Sequence, residues 1–287
     1  MDSSVVTVVL FAALLHATWN ALVKAGPDKY LTTLLVACGA GLVSLPLLPF
    51  IATPAQDSWP WLIASACCQV IYYRLLAATY RHGDMSQAYP LMRGAAPLLV
   101  ALASVPLLGE RLHLSQDIAV MLICGGVLTL TILRGANAGA DTAANRGARR
   151  RATSYALLNA AVIAGYTMID AVGVRRSGAP AAYTMWLFVL TAVMLLLCST
   201  HRWRELPAYA RTHLRVMLLG GVGTLASYGL ALWAMTQAPV AAVAALRETS
   251  ILFAAAIAAL FLRERLAPGR ILAITLIACG AIVMRLG

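Results

Sequence analysis

Long runs of apolar residues, separated by short polar interruptions, dominate the chain. A helix that crosses a membrane needs about 20 consecutive apolar residues. Ten runs of about that length cover residues 5–23, 31–53, 60–80, 86–108, 115–134, 153–174, 180–199, 214–235, 239–262 and 268–285. Glycine, proline and charged residues mark the boundaries between them. The pattern predicts an all-α membrane protein with ten transmembrane helices.

The longest polar stretch divides these runs into two groups of five. Residues 134–151 read RGANAGADTAANRGARRR and show no apolar periodicity, so we expect a flexible, Arg-rich loop over residues 135–151. The first five-helix repeat then covers residues 1–134 and the second covers residues 152–287. Because each half has an odd number of helices, the second half enters the membrane in the opposite orientation. This organisation is a 5+5 inverted-topology repeat.

Charged residues recur at equivalent positions in the two halves. Residues 77–112 align with residues 231–266 without a gap, at an offset of 154. The aligned charged pairs are Arg93 with Arg247, Glu110 with Glu264 and Arg111 with Arg265. Charged residues make up only 11% of the chain, so these matches weigh more than matches between apolar residues. Transporters built from inverted repeats bind substrate near the membrane midplane, where the halves meet.

The composition excludes several classes of protein. Hydrophobic residues make up 61% of the chain, whereas a soluble domain is about half apolar and about a quarter charged. An ordinary soluble enzyme, a disordered protein and a nucleic-acid-binding module are therefore excluded. The net charge of +11 does not indicate nucleic acid, because the basic residues are spread among apolar runs. Catalytic motifs such as GxSxG, HExxH and the P-loop are absent, so we expect no enzyme activity, no cofactor and no metal.

The loops on the two sides of the membrane differ in positive charge. With ten helices, one side carries 15 Lys and Arg residues, and the side with both termini carries 4. Cytoplasmic loops are enriched in Lys and Arg, so the charge pattern predicts both termini on the same side, outside the cell. The predicted location is the bacterial inner (plasma) membrane, as an integral, multi-pass protein. The expected partners are membrane lipid and a small-molecule substrate, and no nucleic acid.

Polar side chains inside the apolar runs are the candidate functional residues. An ionisable group at the centre of a membrane helix costs about 2.5–3.5 kcal/mol on insertion scales, so it needs a partner or a function. A spacing of four places Tyr89 and Arg93 on one helix face, and His16 and Asn20 repeat that spacing in the first helix. The predicted substrate-binding residues are His16, Trp19, Asn20, Tyr72, Tyr89, Arg93, Tyr166, Asp170, Trp233, Arg247 and Glu248.

These residue types suit either of two chemistries. An arginine holds a carboxylate or phosphate through two parallel hydrogen bonds, and aromatic faces hold ammonium groups. His16, Asp170 and Glu248 are the candidates for carrying a proton. The alternative is structural: Arg93 ties helix ends together, and His16 is a hydrogen-bonded core residue. Successive helical residues point about 100° apart, so Arg247 and Glu248 need not pair with each other.

Three stretches of this sequence resemble the drug/metabolite transporter superfamily and, within it, the EamA family of ten-helix carriers. They are HATWNALVK at 16–24, PLLGERL at 106–112, and the run from AMTQAPVAAVAALRETS at 234–250 to LRERL at 262–266. The resemblance implies ten helices, an inverted repeat, a central cavity and transport of small metabolites. Small multidrug-resistance relatives carry an essential glutamate in their first helix. Here the first helix offers His16 and Asn20 and the sixth offers Asp170, so proton coupling by that glutamate is not carried over. Family members have cytoplasmic termini, in contrast to the charge pattern.

Three functions are open on the sequence alone. The first is a secondary transporter, an exporter, that moves a small polar metabolite such as an amino acid, an amine or a related zwitterion by alternating access. The second is a multidrug exporter of lipophilic cations, with Asp170 and Glu248 binding the cation and Arg93 acting structurally. The third is a membrane partner protein that transports nothing. A proton or a counter-substrate is the expected coupling partner, and the sequence is compatible with a monomer or a homodimer.

Overall fold

The computed structural model describes residues 1–82, 85–136, 143–261 and 268–286. Within these ranges every regular element is helical, which confirms the all-α prediction for them. The α-helices are α1 (Ser3–Ala25), α2 (Lys29–Ser44), α3 (Trp59–His82), α4 (Met85–Leu108), α5 (Leu114–Ala136), α6 (Ala143–Ser177), α7 (Pro180–Cys198), α8 (Leu206–Thr212), α9 (Leu214–Gln237), α10 (Val240–Leu246), α11 (Ser250–Phe261) and α12 (Pro268–Leu286). Short 3₁₀ turns form at Leu48–Phe50, Gln56–Ser58, Thr200–Arg202 and Arg247–Thr249.

Eight segments of the described chain are long and apolar enough to cross a membrane. They are Ser3–Ala25, Lys29–Phe50, Ala88–Leu108, Arg150–Ser177, Pro180–Cys198, Leu214–Gln237, Val240–Ile257 and Gly269–Leu286. Leu114–Leu130 forms a shorter apolar helix. The third predicted run is helical as α3 but is not among the eight. Spans of this length and hydropathy indicate an integral, multi-pass membrane protein.

Two predicted segments differ from the structure. The expected flexible loop at 135–151 is helical from Ala143 onward, because α6 begins there and runs for 35 residues. Alanine and arginine have high helix propensity, and they dominate residues 143–151, so the membrane helix continues into this stretch. Residues 137–142 lie outside the described residues. The ninth apolar run is not one helix, since a 3₁₀ turn separates α10 from α11.

The helices form two compact units. Unit 1 takes its described residues from 1–10, 71–168 and 238–287, and unit 2 takes them from 11–70 and 169–237. Each unit therefore combines helices from both halves of the sequence. The boundaries of the two predicted repeats do not coincide with the boundaries of the compact units.

Small residues allow close helix packing in unit 1. Ala88, Met92 and Ala96 recur every four residues on α4 and pack against α6. Their partners on α6 are Ala156, Ala160 and Ile163. All six side chains are buried, so α4 and α6 lie face to face along two turns. Tyr89 and Arg93 each follow one of these residues by one position, so they lie on the adjacent flank of α4.

Glycine has the same role in unit 2. A Cβ atom added to Gly221 of α9 would lie 2.5 Å from the backbone carbon of Gly39 in α2, which no real Cβ tolerates. Gly220 likewise faces Val36 of α2. The backbones of α2 and α9 are thus in direct contact, as small residues permit in membrane helices.

Candidate functional site

Arg93 and Glu248 form a buried ion pair in unit 1. Arg93 Nε donates to Glu248 Oε2 at 2.9 Å, and Arg93 Nη2 lies 2.8 Å from Glu248 Oε1. The Nε contact is a hydrogen bond, and the Nη2 contact is a short ionic contact without hydrogen-bond alignment. The side chains are 13% and 4% exposed, and both belong to segments apolar enough to span a membrane. Each charge therefore compensates the other in a place where neither is tolerated alone.

Both partners lie at irregular points of their helices. Pro97 follows Arg93 by four residues and has no N–H, so the Arg93 carbonyl lacks its usual helical donor. Glu248 lies within the 3₁₀ turn Arg247–Thr249. The hydroxyl of Thr249 donates to a backbone carbonyl of α10 at 2.7 Å, which helps to close this turn. A short 3₁₀ stretch inside a longer helix often marks a hinge.

A small cavity lies beside the ion pair. Its lining residues are Arg93, Ala96, Pro97, Val100, Ile163, Tyr166, Thr167, Ala244, Arg247 and Glu248. The space open to the centre of a water molecule is about 20 Å³, which suits about one water. The lining brings together four of the predicted residues: Arg93, Tyr166, Arg247 and Glu248. Two arginines and one glutamate give this lining one more positive than negative charge.

Three of the predicted tyrosines surround the same site. The rings of Tyr72 and Tyr166 meet edge to face, with centroids 6.1 Å apart at an angle of 78°. Tyr72, Tyr89 and Tyr166 all pack against the α4–α6 core, and all three are within electrostatic range of the Arg93 guanidinium. The site therefore combines charged groups with aromatic faces and phenolic hydroxyls.

The other five predicted residues belong to unit 2. The rings of His16 and Trp19 meet edge-on, with centroids 5.1 Å apart at 84°. The Asn20 side chain donates to the His16 carbonyl at 2.8 Å, so its amide is engaged within α1. Trp233 is half-buried in α9. The indole N–H of Trp19 is buried and has no acceptor among the described residues.

Asp170 is fully buried in unit 2. The Tyr183 hydroxyl donates to Asp170 Oδ1 at 3.0 Å, and the Tyr228 hydroxyl donates to Oδ2 at 2.5 Å. Two phenols from α7 and α9 thus orient the carboxylate of α6. Sequence reasoning missed both tyrosines, because a single tyrosine in an apolar run is more often a packing residue. The one available signal was a hydroxyl within each apolar run, at Tyr183 and Tyr228.

Two more polar contacts in unit 1 were not predicted. The side chain of Asn159 is fully buried in α6, and its amide donates to the Met92 sulfur at 3.1 Å. Glu110 Oε2 accepts the backbone N–H of Val240 at 2.8 Å, which caps the first turn of α10. This contact is structural, and it ties the chain after α4 to the start of α10. The repeat equivalent, Glu264, lies outside the described residues.

Unit 2 also carries an ion pair outside the membrane spans. Arg202 Nη2 lies 2.7 Å from Asp28 Oδ2, and the Leu31 N–H donates to Asp28 Oδ1 at 3.0 Å. Partial burial raises the pKa of Asp28, but the hydrogen bonds from Leu31 and Arg202 outweigh burial and leave this pKa below its usual value. The carboxylate caps α2 and joins it to the segment after α7.

Comparison with known proteins places the chain in a family. A sequence profile of the EamA-like transporter family matches residues 3–132 and 150–286, which is most of both halves. The multidrug transporter EmrE of Escherichia coli (strain K12) is 35% identical over 75 residues, which are 26% of this chain and 67% of EmrE. A solved protein crystal structure, 20% identical, has a similar fold, with a TM-score of 0.74 over 100% of this chain and 98% of that chain. The chain therefore belongs to the EamA-like transporter family of the drug/metabolite transporter superfamily.

Proposed function

We propose that this protein is a secondary transporter that exports a small polar metabolite by alternating access through a central cavity. Amino acids, amines and related zwitterions are the proposed substrate class. Family membership supports transport, and the buried charges of unit 1 support a charged substrate. The observation that carries the proposal is the cavity lined by Arg93, Arg247 and Glu248, since ionisable groups inside spans commonly mark a transport pathway.

The proposal includes ten spans in an inverted 5+5 arrangement, with both termini on one side of the bacterial inner membrane. Eight segments meet the length and hydropathy of a span. α3 and the shorter apolar helix in α5 stand at the other two predicted positions. The alignment of the halves at an offset of 154 residues supports the repeat.

We assign the contacts to the charged part of the substrate to unit 1. Arg93 and Arg247 would bind a carboxylate, Glu248 would bind a proton or an ammonium group, and Tyr72, Tyr89 and Tyr166 would contact its apolar part. The proposed contacts from unit 2 are His16, Trp19, Asn20, Asp170 and Trp233. His16 and Asp170 remain the other candidates for carrying a proton.

Uptake into proteoliposomes tests the proposal. The probes are L-glutamate, L-leucine, L-lactate, putrescine and tetraphenylphosphonium, each radiolabelled and tested for exchange against an internal pool. We expect at least one of the first four to exchange, and Arg247→Gln to abolish this exchange. Arg204→Gln is the matched control, because Arg204 is exposed outside the spans and should leave exchange unchanged. Folded protein that exchanges none of the first four probes would overturn the proposal.

Export of lipophilic cations is the second candidate. The similarity to EmrE, named a multidrug transporter, favours it, as does the buried carboxylate of Asp170 between two tyrosines. This candidate predicts that overexpression raises cellular resistance to tetraphenylphosphonium and that Asp170→Asn removes the resistance. Exchange of tetraphenylphosphonium alone in the proteoliposomes would select it. A partner protein without transport is the third candidate, and exchange of any probe excludes it.

A further inference from the structure

We infer that α6 binds the phosphate of an anionic phospholipid at the point where its membrane span begins. The site is a groove on this helix, here called the headgroup groove, and its lining residues are Gly147, Arg150, Arg151, Ser154 and Tyr155. Among the described residues, this lining shares no member with the cavity beside the ion pair. The inference goes beyond the proposed function and does not rest on it, because a lipid can bind here whatever the protein transports.

The lining residues form one stripe along α6. They repeat every three or four residues, and successive helical residues turn about 100° around the axis, so the five positions share one face. Gly147 and Ser154 are about two turns apart along the middle of the stripe, and Arg150 and Arg151 stand on either side of this line. A Cβ atom added to Gly147 would meet nothing within 4 Å beyond the backbone of its own helix. The groove therefore has open space beside the arginines, and its volume is about 490 Å³.

The stripe faces away from the helix packing of unit 1. Ala156 and Ala160 lie on the other side of α6, where both are fully buried against α4. Arg150, Arg151 and Ser154 are exposed. Among the described residues, neither of these arginines forms an ion pair with a carboxylate. The two guanidinium groups are therefore available to a ligand from outside the protein.

The length of the span places the headgroup groove at the depth of the lipid headgroups. Arg150 and Ser177 bound an apolar segment of 28 residues, which is about 42 Å along a helix axis. A bilayer with both of its headgroup layers is about 40–45 Å thick. With Ser177 in the headgroup layer at one end, Arg150 and Arg151 stand in the opposite headgroup layer. Tyr155 supports this depth, because tyrosine is enriched at the membrane–water interface.

The charges and donors of the groove select an anion with several oxygen atoms. Arg150 and Arg151 bring two positive charges, and none of the five lining residues is acidic. A guanidinium offers paired N–H donors that match two oxygens of a phosphate. Ser154 adds a hydroxyl, which can donate to a further oxygen. A phosphodiester with a net negative charge satisfies these donors, whereas a cation would be repelled by both arginines.

The surface next to the groove is suited to an acyl chain. Leu158 continues the stripe towards the middle of the span, since it follows Ser154 by four residues and Tyr155 by three. Leu157 and Leu158 are 47% and 53% exposed, and apolar side chains exposed within a span face the lipid chains. The anion site thus passes directly into an apolar surface. This combination matches an amphiphile with an anionic head, whereas a free phosphate would use only the polar part.

Native mass spectrometry of the full chain in detergent tests the inference, because it gives the dissociation constant of the first bound lipid. The probes are dioleoyl-phosphatidylglycerol, dioleoyl-phosphatidylcholine, which has the same chains and a zwitterionic headgroup, and inorganic phosphate. Wild-type protein should bind phosphatidylglycerol most tightly. One Lys or Arg at an anionic membrane surface strengthens binding about fivefold, so Arg150→Gln/Arg151→Gln should weaken phosphatidylglycerol binding about 30-fold. Arg204→Gln/Arg211→Gln is the matched control, because it removes two exposed arginines outside the spans and should keep the wild-type preference.

Several outcomes would overturn the inference. It is wrong if wild-type protein binds both lipids equally, if the two double variants lose the same affinity, or if inorganic phosphate binds as tightly as phosphatidylglycerol. Arg150→Lys/Arg151→Lys keeps both charges and should retain more affinity than the glutamine variant, so an equal loss also contradicts the inference. If the glutamine variant does not yield folded protein, the ionic strength decides. Higher ionic strength should weaken phosphatidylglycerol binding to wild-type protein, and an unchanged affinity would exclude a site built on the two arginines.

Discussion

Arg93 in α4 and Arg247 between α10 and α11 occupy equivalent positions in the two sequence halves, but their following residues differ. Gly94 follows the first arginine, and Glu248 follows the second. A Cβ atom on Gly94 would lie 2.9 Å from Leu128 Cγ, so a side chain does not fit there without a shift. Glu248 has room for a full carboxylate, which crosses to Arg93. Both halves therefore carry the arginine, but only the second half carries an acid directly after it.

The two regions also differ in backbone regularity. α4 contains more proline than the segment 240–261, yet it has the more regular backbone. α4 contains three prolines and remains assigned as one helix over its whole length. The segment 240–261 contains no proline and nevertheless changes to a 3₁₀ turn at Arg247–Thr249. The break lies within four consecutive polar residues, Arg247 to Ser250, of an apolar segment. We conclude that the need to place buried polar groups, rather than proline, sets the break in this helix.

We expect the largest loss of stability when Glu248 is replaced. Glu248→Leu leaves the Arg93 charge buried without its carboxylate, and we expect a loss of about 3–5 kcal/mol in the free energy of unfolding. The double variant Arg93→Met/Glu248→Leu removes both charges and should recover most of this loss. Denaturant unfolding of the detergent-purified protein measures both. A single variant as stable as the double variant would show that the pair does not compensate buried charge.

We expect the next largest loss of stability when a side chain is added at Gly94, the position equivalent to Glu248. Gly94→Ala places a methyl group against Leu128, and overpacking of this kind costs about 1–3 kcal/mol. Gly125→Ala in α5 is the matched control, because no atom outside its own helix lies within 4 Å of the added carbon. Thermal unfolding of both variants, compared with wild type, gives the answer. Equal midpoints would mean that Leu128 moves aside freely.

The helix break itself can be weakened. Thr249→Val removes the hydrogen bond from the Thr249 hydroxyl to the Leu246 carbonyl, and we expect a loss of about 0.5–1.5 kcal/mol. Thr129→Val in α5 removes a similar bond to the Gly125 carbonyl inside a regular helix, where that carbonyl keeps its backbone partner. The control should therefore cost less. Unfolding free energies of the two variants, measured side by side, would contradict this reasoning if they were equal.

We expect the smallest effect at the partly exposed Asp28–Arg202 pair of unit 2, which serves as a reference for the buried Arg93–Glu248 pair. The lowered pKa of Asp28 stabilises the folded state above its unfolded value of about 3.9, and this contribution is lost as pH falls through the folded pKa. The contribution of the pair is below about 1 kcal/mol because solvent screens it. Melting midpoints of wild type and Asp28→Asn should differ slightly at pH 7 and converge below about pH 4. A difference that grows on acidification would contradict the assignment.

Helix positions and the cavity arginines could be predicted from the sequence. Apolar runs of membrane length locate helices directly, and the offset between the halves marked Arg93 and Arg247, which the structure places around one cavity. The pairing of Arg93 with Glu248 could not be predicted, because 155 residues separate them and the sequence does not show which helices are neighbours. The tyrosines that orient Asp170 were hidden for the same reason. The start of α6 could not be predicted from polarity, because a polar stretch is typical of a loop, whereas the alanines and arginines of this stretch favour helix.

Gly94 has a consequence for the symmetry between the two halves of the chain. Residues 77–112 and 231–266 align with each other, whereas a carrier assembled from two identical chains would carry every substitution twice. Such a carrier would hold two acids beside its arginines or none. Two halves within one chain can each carry a substitution that the other lacks. Because Leu128 crowds position 94, the first half has no room for an acid beside its arginine, and the two halves differ at the residue that supplies the negative charge of the cavity.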